Sequence, residues 1–343
     1  MKKVLLGDII ELAYGKSLPQ RSRVSGRFPV FGSNGQVDTH NKYLVGGPGI
    51  IIGRKGSVGE VIWSKQDFWP IDTTYHVKLK NPDDDLRYWY YVLKTLGLNK
   101  LNSHSAIPGL NRDVAYIKQV PLRSTLEQKK IADILSSLDE KIELNRLMNE
   151  TLEQLGQALF RHYFIDNPDA KNWKKRSLGE FFPVKTGKKD ANFGTKDGKF
   201  PFFTCAQTIS RAPSYSFDGS AILIAGNGDF NIKYYTGKFE AYQRTYVLIP
   251  HNEELLGFLY FLMKKDLSLI TGGSRGSVIK FITKGMIENY RVELPDDNDL
   301  AAFAPLFSEL LALISHNNEQ VYNLIALRDT LLPQLMSGKI EVK

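Results

Sequence analysis

Residues 124–166, STLEQKKIADILSSLDEKIELNRLMNETLEQLGQALFRHYFID, decide how the rest of this 343-residue chain is read. Pro121 closes the preceding segment, Ser124 and Glu127 three residues on form a capping box, and no proline interrupts until Pro168. The stretch reads as one helix, roughly 60 Å long at ~1.5 Å per residue. Leu135, Leu138 and Ile142, then Leu152, Leu155 and Leu159, recur three and four apart and line one face, which needs a second helix against it. Asn145 sits on that stripe, where a polar residue fixes register at some cost in stability.

The second helix is found 172 positions on. Phe307, Leu310 and Ile314, then Val321, Leu324, Leu327 and Leu331, repeat the stripe, and Asn317 takes the place of Asn145, so the two asparagines are expected to be counterparts. The register extends beyond the helices. Leu6-Gly7-Asp8 returns as Leu178-Gly179-Glu180, Gly15-Lys16 as Gly187-Lys188, and Phe28-Pro29-Val30-Phe31 as Phe200-Pro201-Phe202-Phe203. With the offset slipped by one, Thr74-Tyr75-His76-Val77 matches Thr245-Tyr246-Val247-Leu248. The chain is a tandem duplication with four expected segments: 1–123, 124–171, 172–295 and 296–343.

Segments 1–123 and 172–295 read as β-rich lobes. In the first, 28–31, 49–53, 59–63, 75–79 and 117–120 are expected strands, with turns at Asn34-Gly35 and Lys55-Gly56 and a helix over 86–96 stopped by Gly97. In the second, 221–224 and 242–249 are expected strands and 253–264 the equivalent helix. The second long helix is expected to start after Pro295 with Asp299 as its cap, to kink or loosen at Pro333, and to end at Ser337-Gly338. The fold class is α+β: two globular lobes separated by two long antiparallel coiled-coil helices, with an internal pseudo-twofold repeat.

Charge follows the same partition. Lys+Arg against Asp+Glu is 18 to 10 in 1–123, 6 to 9 in 124–171, 18 to 11 in 172–295 and 3 to 7 in 296–343, within a net charge of +8. Two basic lobes on mildly acidic helices are the footprint of two modules that read a polyanion. No run is seen that approaches the ~18 apolar residues of a membrane span, and Val4-Leu5-Leu6 is too short for a signal core, so the protein is expected in the cytoplasm, away from membranes. Cys205, the one cysteine, excludes an intrachain disulfide and reads as a small buried apolar side chain.

Chemistry-bearing motifs are few. There is no phosphate loop, and Gly226-Asn227-Gly228 lacks the third glycine of a dinucleotide fingerprint. Asn81-Pro82-Asp83 shares only its first two residues with the Asn-Pro-Pro-aromatic motif of amino-methyltransferases, and the six histidines show no metal-ligand spacing. No catalytic, metal or cofactor residue is assigned. Candidate nucleic-acid contacts are the basic and polar loops: Lys16, Arg21, Arg23, Arg54, Lys55, Ser57, His104 and Ser105 in the first lobe. In the second they are Lys188, Lys189, Asn192, Lys196, Asn227, Asn231, Lys233, Ser274, Arg275, Ser277 and Lys280. Arginine can take the edge of guanine and asparagine that of adenine, whereas lysine mostly meets phosphate.

The layout resembles the specificity subunits of type I DNA restriction-modification systems over essentially the whole chain. The resemblance rests on the order lobe, helix, lobe, helix and on the Leu-Gly-Asp/Glu opening of each lobe. It rests also on Arg54-Lys55-Gly56-Ser57-Val58-Gly59, on Pro121-Leu122 leading to Glu127-Gln128-Lys129-Lys130-Ile131-Ala132, and on the terminal Leu331-Leu332-Pro333-Gln334-Leu335-Met336-Ser337-Gly338-Lys339-Ile340. It implies a non-catalytic subunit with two target recognition domains reading a bipartite, asymmetric DNA sequence. The helix pair would set the gap between the halves. The implied partners are double-stranded DNA, two adenine-N6 methyltransferase subunits carrying S-adenosylmethionine, and restriction subunits using ATP and Mg. The second lobe departs from the pattern with Ala225-Gly226-Asn227-Gly228-Asp229 in place of Arg-Lys-Gly-Ser. Phe160, Tyr163 and Phe164 are candidates for a methyltransferase docking surface or for packing against a lobe. The competing readings are a free-standing DNA-binding or decoy protein, and a protein-binding scaffold, of the same architecture.

Overall fold

The computed structural model describes residues 2–101, 109–272 and 281–342. It is an α+β protein of two compact units, Met1–Ile142 with Tyr322–Lys343, and Glu143–Val321. Each unit takes one lobe together with parts of both long helices, so the compact bodies cut across the four expected segments.

In the first unit a four-stranded sheet runs in the order Ile10–Tyr14, Thr74–Leu79, Gly49–Gly53, Val61–Ser64. A three-stranded sheet joins Gly35–His40, Phe28–Gly32 and Trp69–Pro70, and Lys3–Leu5 pairs with Gln119–Pro121. The helix Leu86–Thr95 covers the larger sheet. Its cap is Asp85, whose carboxylate accepts from Tyr88 N, and Gly97 ends it in the left-handed region at φ 61°. Tyr88, Trp89 and Tyr91 are wholly buried with Leu6, Leu12, Ile50 and Ile52, and Ile131, Leu135, Leu335 and Met336 of the long helices join the same core.

The second unit repeats this plan with the two larger sheets merged into one, Val184–Thr186, Thr245–Leu248, Phe217–Ala225, Ile232–Ala241, Phe200–Phe203, Ser210–Ala212, and with Lys174–Ser177 paired separately to Arg291–Leu294. Ile232–Ala241 does the work of two first-lobe strands. It pairs antiparallel with Phe217–Ala225 as Val61–Ser64 does with Gly49–Gly53, then parallel with Phe200–Phe203 as Trp69–Pro70 does with Phe28–Gly32. In the first lobe the chain breaks between those roles, where Ser64 Oγ bonds Gln66 O. In the second, Gly219 and Gly237, paired across the ladder at φ 126° and 119°, let an unbroken strand bend. The equivalent helix, Leu256–Thr271, is longer than expected. It buries Phe258 and Phe261 against Phe160, Phe164 and Phe307.

The first long helix is Thr125–Phe160, followed by a single π turn, Arg161–Ile165, rather than one helix to residue 166. Its capping box is formed: Ser124 N and Oγ both donate to Glu127 at 3.0 and 2.8 Å. The second is Asp297–Ser337 and begins two residues before the expected cap. Asp296 holds that position, its carboxylate accepting from Asn298 N and Asp299 N. The helix runs through Pro333 unbroken and stops at Gly338, φ 77°. It also carries an 18-residue window of mean hydropathy 1.3, more apolar than the expectation of no span-length run allowed. Its apolar residues Phe307, Leu310, Leu311 and Ile314 are buried in the second unit.

Within each unit the helices run antiparallel. Arg328 Nη1 donates to Asp139 at 2.9 Å in the first; in the second, Asn145 Nδ2 donates to Gln320 at 3.0 Å and Asn149 Nδ2 to Asn318 at 2.9 Å. Of the expected seam, Leu135, Ile142, Asn145, Phe307, Leu310, Ile314 and Asn317 are buried, while Leu138, Leu152, Leu159, Val321, Leu324 and Leu331 are half-buried. Leu155 and Leu327 turn outward, 45% and 46% exposed. Gly156, not Leu155, meets the lobe, and a Cβ there would sit 2.2 Å from the Phe261 ring. Asn145 and Asn317 are not partners either: Asn317 Nδ2 donates to Asn149 at 2.9 Å, one turn away. Phe160 and Phe164 are core residues, 2% and 6% exposed, which removes them from the docking surface.

Candidate nucleic-acid interface

Both lobes build the same loop junction. In the first, Leu110 N donates to Arg54 O at 2.9 Å, Tyr75 Oη donates to Leu110 O at 3.1 Å, and Lys55 bridges to Gly109. In the second, Ile282 N donates to Gly226 O at 3.0 Å, Tyr246 Oη to Ile282 O at 2.8 Å, and Asn227 bridges to Phe281. Strand ends feed this junction identically, Gly15 N donating to Thr74 O and Gly187 N to Thr245 O. A buried tyrosine thus ties down the loop after the covering helix and holds two strand-end loops beside it. Burial, then the neighbouring Tyr14, pushes the Tyr75 hydroxyl up to about 12, and burial raises that of Tyr246, so both stay protonated donors.

The first junction opens on a cleft of about 340 Å³ lined by Tyr14, Arg54, Lys55, Tyr75 and 109–113. Arg54 is held by its own backbone neighbours: Nε and Nη2 both donate to Asp72 O, at 3.1 and 2.6 Å, and the guanidinium lies 5.3 Å from the Tyr14 ring centre. Arg112 stacks on the same ring at 4.7 Å. Lys16 joins this rim, its N donating to Pro70 O and its carbonyl accepting from Trp69 Nε1. Arg21 is exposed on the separate turn Gln20–Ser22, and Ser57 closes the tight turn below, a Cβ on Gly53 falling 2.0 Å from its carbonyl.

At the second junction, Lys188 N donates to Ala241 O, Gln243 N to Lys189 O, and Gly226 N to Arg244 O, which gathers Lys188, Lys189, Asn227 and Arg244. Lys189 also lies 4.6 Å from the Phe193 ring, beside exposed Asn192 and Lys196. Another cleft, about 430 Å³, lies between Gly228–Phe230 and the helix residues Lys264, Lys265, Leu267, Ser268 and Thr271.

Three expected DNA contacts are spent inside the fold. Arg23 donates Nε to Leu18 O and Nη1 to Asp38 at 3.3 Å, its side chain 14% exposed. Asn231 is buried and donates to Cys205 O and Asp229 O, and Lys233 donates to Ala206 O and to the Asn231 amide oxygen. Burial accordingly lowers the Lys233 ammonium pKa. Their types fitted nucleic acid; their loops curl back on themselves, which no residue type announces. Cys205 is only half-buried, its thiol on Arg244 O at 3.5 Å. His104, Ser105, Ser274, Arg275, Ser277 and Lys280 lie outside the described residues. Reading the sequence misses Tyr14, Arg112 and Arg244. Among the described residues no His, Cys, Asp and Glu cluster could hold a metal ion.

The family model for the type I restriction modification DNA specificity domain matches twice, at residues 1–154 and 170–323. The chain belongs to this family. Each half of the chain carries one such DNA specificity domain. It is 42% identical over 173 residues to the type I restriction enzyme EcoDI specificity subunit of Escherichia coli, covering 49% of this chain and 39% of that protein. It is 24% identical over 341 residues to the MjaIX specificity subunit of Methanocaldococcus jannaschii, covering 86% and 78%. The type I S subunit of M. genitalium has the same fold, with a TM-score of 0.67 at 21% identity over 98% of this chain and 96% of that one.

Proposed function

We propose that this chain gives a type I restriction-modification complex its target, each lobe reading one short half of a bipartite, asymmetric sequence and the helix pair setting the gap between halves. The observation that carries this is the junction built twice with different side chains on it, Arg54 and Lys55 in one lobe, Gly226 and Asn227 in the other. A shared frame with divergent rims suits two readers of different half-sites. Exposed Lys16, Arg21, Lys55, Lys188 and Lys196, with half-buried Lys189, would meet phosphates, with Ser57, Asn192 and Asn227 nearer the bases. The complex acts on cytoplasmic DNA. Two adenine-N6 methyltransferase subunits would supply S-adenosylmethionine and the chemistry, and restriction subunits ATP and Mg, while this chain supplies position.

The test is co-expression with the neighbouring methyltransferase subunit and long-read mapping of N6-methyladenine in host DNA. The expected result is one motif of two short halves with a fixed degenerate gap. A stable complex that leaves no such motif would overturn the reading.

A further inference from the structure

Two guanidiniums, Arg54 and Arg112, bracket the ring of Tyr14 at 5.3 and 4.7 Å, and Tyr14 itself is 52% exposed. They are not equivalent. Arg54 gives its Nε and Nη2 to Asp72 O, so one edge of its fork is used by the fold. The Arg112 side chain makes no hydrogen bond or ion pair with the described residues; among them it stacks on the Tyr14 ring. A stacked guanidinium keeps its plane while its donors stay open, and that planar fork matches the O6 and N7 acceptors of guanine.

The second lobe supplies the control. Arg112 opens the short helix Arg112–Tyr116 after the cap Asn111, and 172 positions on Lys284 opens Lys284–Glu288 after the cap Thr283. There the cation is neutralised by Glu288 at 3.3 Å, and the position matching Tyr14 is Thr186, without a ring. The same frame therefore folds without the stacked arginine and its platform. Whatever the pair does, it serves something in which the two lobes differ.

We infer that Arg112, oriented by Tyr14, is a specificity-determining residue of the first lobe and reads a guanine edge in its half-site. The inference rests on the proposed function, and the wild-type complex tests that separately: if it writes no bipartite motif, the function fails before Arg112 is tested. Given a wild-type motif, methylomes are mapped for Arg112→Lys and Arg112→Ala in the full complex. Lysine keeps the charge and the stem but loses the fork, so Arg112→Lys decides the matter even where alanine costs the lobe its fold. The expected result is that one guanine in one half becomes degenerate, discrimination there falling on the order of ten- to a hundred-fold, with the other half unchanged. An Arg112→Lys methylome with the original motif, at full or uniformly reduced occupancy, would make Arg112 a phosphate contact or a bystander and overturn the inference.

Discussion

His76 sits in the strand Thr74–Leu79, 8% exposed, and its Nδ1 has no hydrogen-bond partner among the described residues. Burial, and then Lys78, lower its pKa below the ordinary 6.5, only partly opposed by Glu11. A base with a depressed folded pKa binds its proton more readily in the unfolded chain. Stability therefore rises with pH between the two values and is lost as pH falls below 6.5. The slope approaches ~1.4 kcal/mol per pH unit for one proton. Urea midpoints of the full chain at pH 7.5 and 5.5 should fall for the wild type and shift less for His76→Leu; equal shifts would remove His76 as the cause. At this scale the sequence was least legible. Arg23, Asn231 and Lys233 have the types of DNA contacts, and only the local path of the chain decides that their donors turn inward. Arg112 was passed over for the opposite reason, since nothing in residue order announces that strand-end Tyr14 meets it.

Elements were read more surely than their pairings. Apolar period and capping residues are local, so both long helices and the strand 49–53 were legible in outline. Ile232–Ala241 was not, because its Tyr-Tyr-Thr-Gly-Lys run shows little apolar alternation and its bend depends on a glycine pair across the ladder. The asparagines show where register escapes a one-dimensional match. Asn149 is the real node: it donates to Asn318 at 2.9 Å and Ile314 O at 3.3 Å and accepts from Asn317 at 2.9 Å. Asn145 donates once, to Gln320, and its wholly buried amide oxygen has no partner among the described residues. An unpaired buried acceptor costs about 1–3 kcal/mol, so removing it gains stability while removing the node loses it. Asn145→Leu should raise the unfolding free energy by about 1 kcal/mol, read from the denaturation midpoint, and Asn149→Leu should lower it by at least as much. The same sign for both would show that the polar layer acts as one unit.

For the whole chain, charge separates recognition of DNA from a scaffold that binds only protein. Its net +8 lies in the lobes, where Lys+Arg exceeds Asp+Glu by 8 in 1–123 and by 7 in 172–295. The lobe surfaces carry exposed Lys16, Arg21, Lys55, Lys188 and Lys196, together with half-buried Lys189 and Arg54. If those seven meet phosphates, each releases condensed counterions, and the logarithm of the binding constant falls with the logarithm of salt concentration with a slope of about −6. Arg112, spent on a base, adds nothing to binding of random duplex, so Arg112→Lys should leave that slope unchanged while Lys55→Ala lowers it by about 1. Titrating the full complex with fluorescent random duplex between 50 and 300 mM salt measures both. A slope near zero would mean the basic lobes are merely solvated. A slope that Lys55→Ala leaves intact would move the phosphate contacts away from the loop junction that the two lobes share.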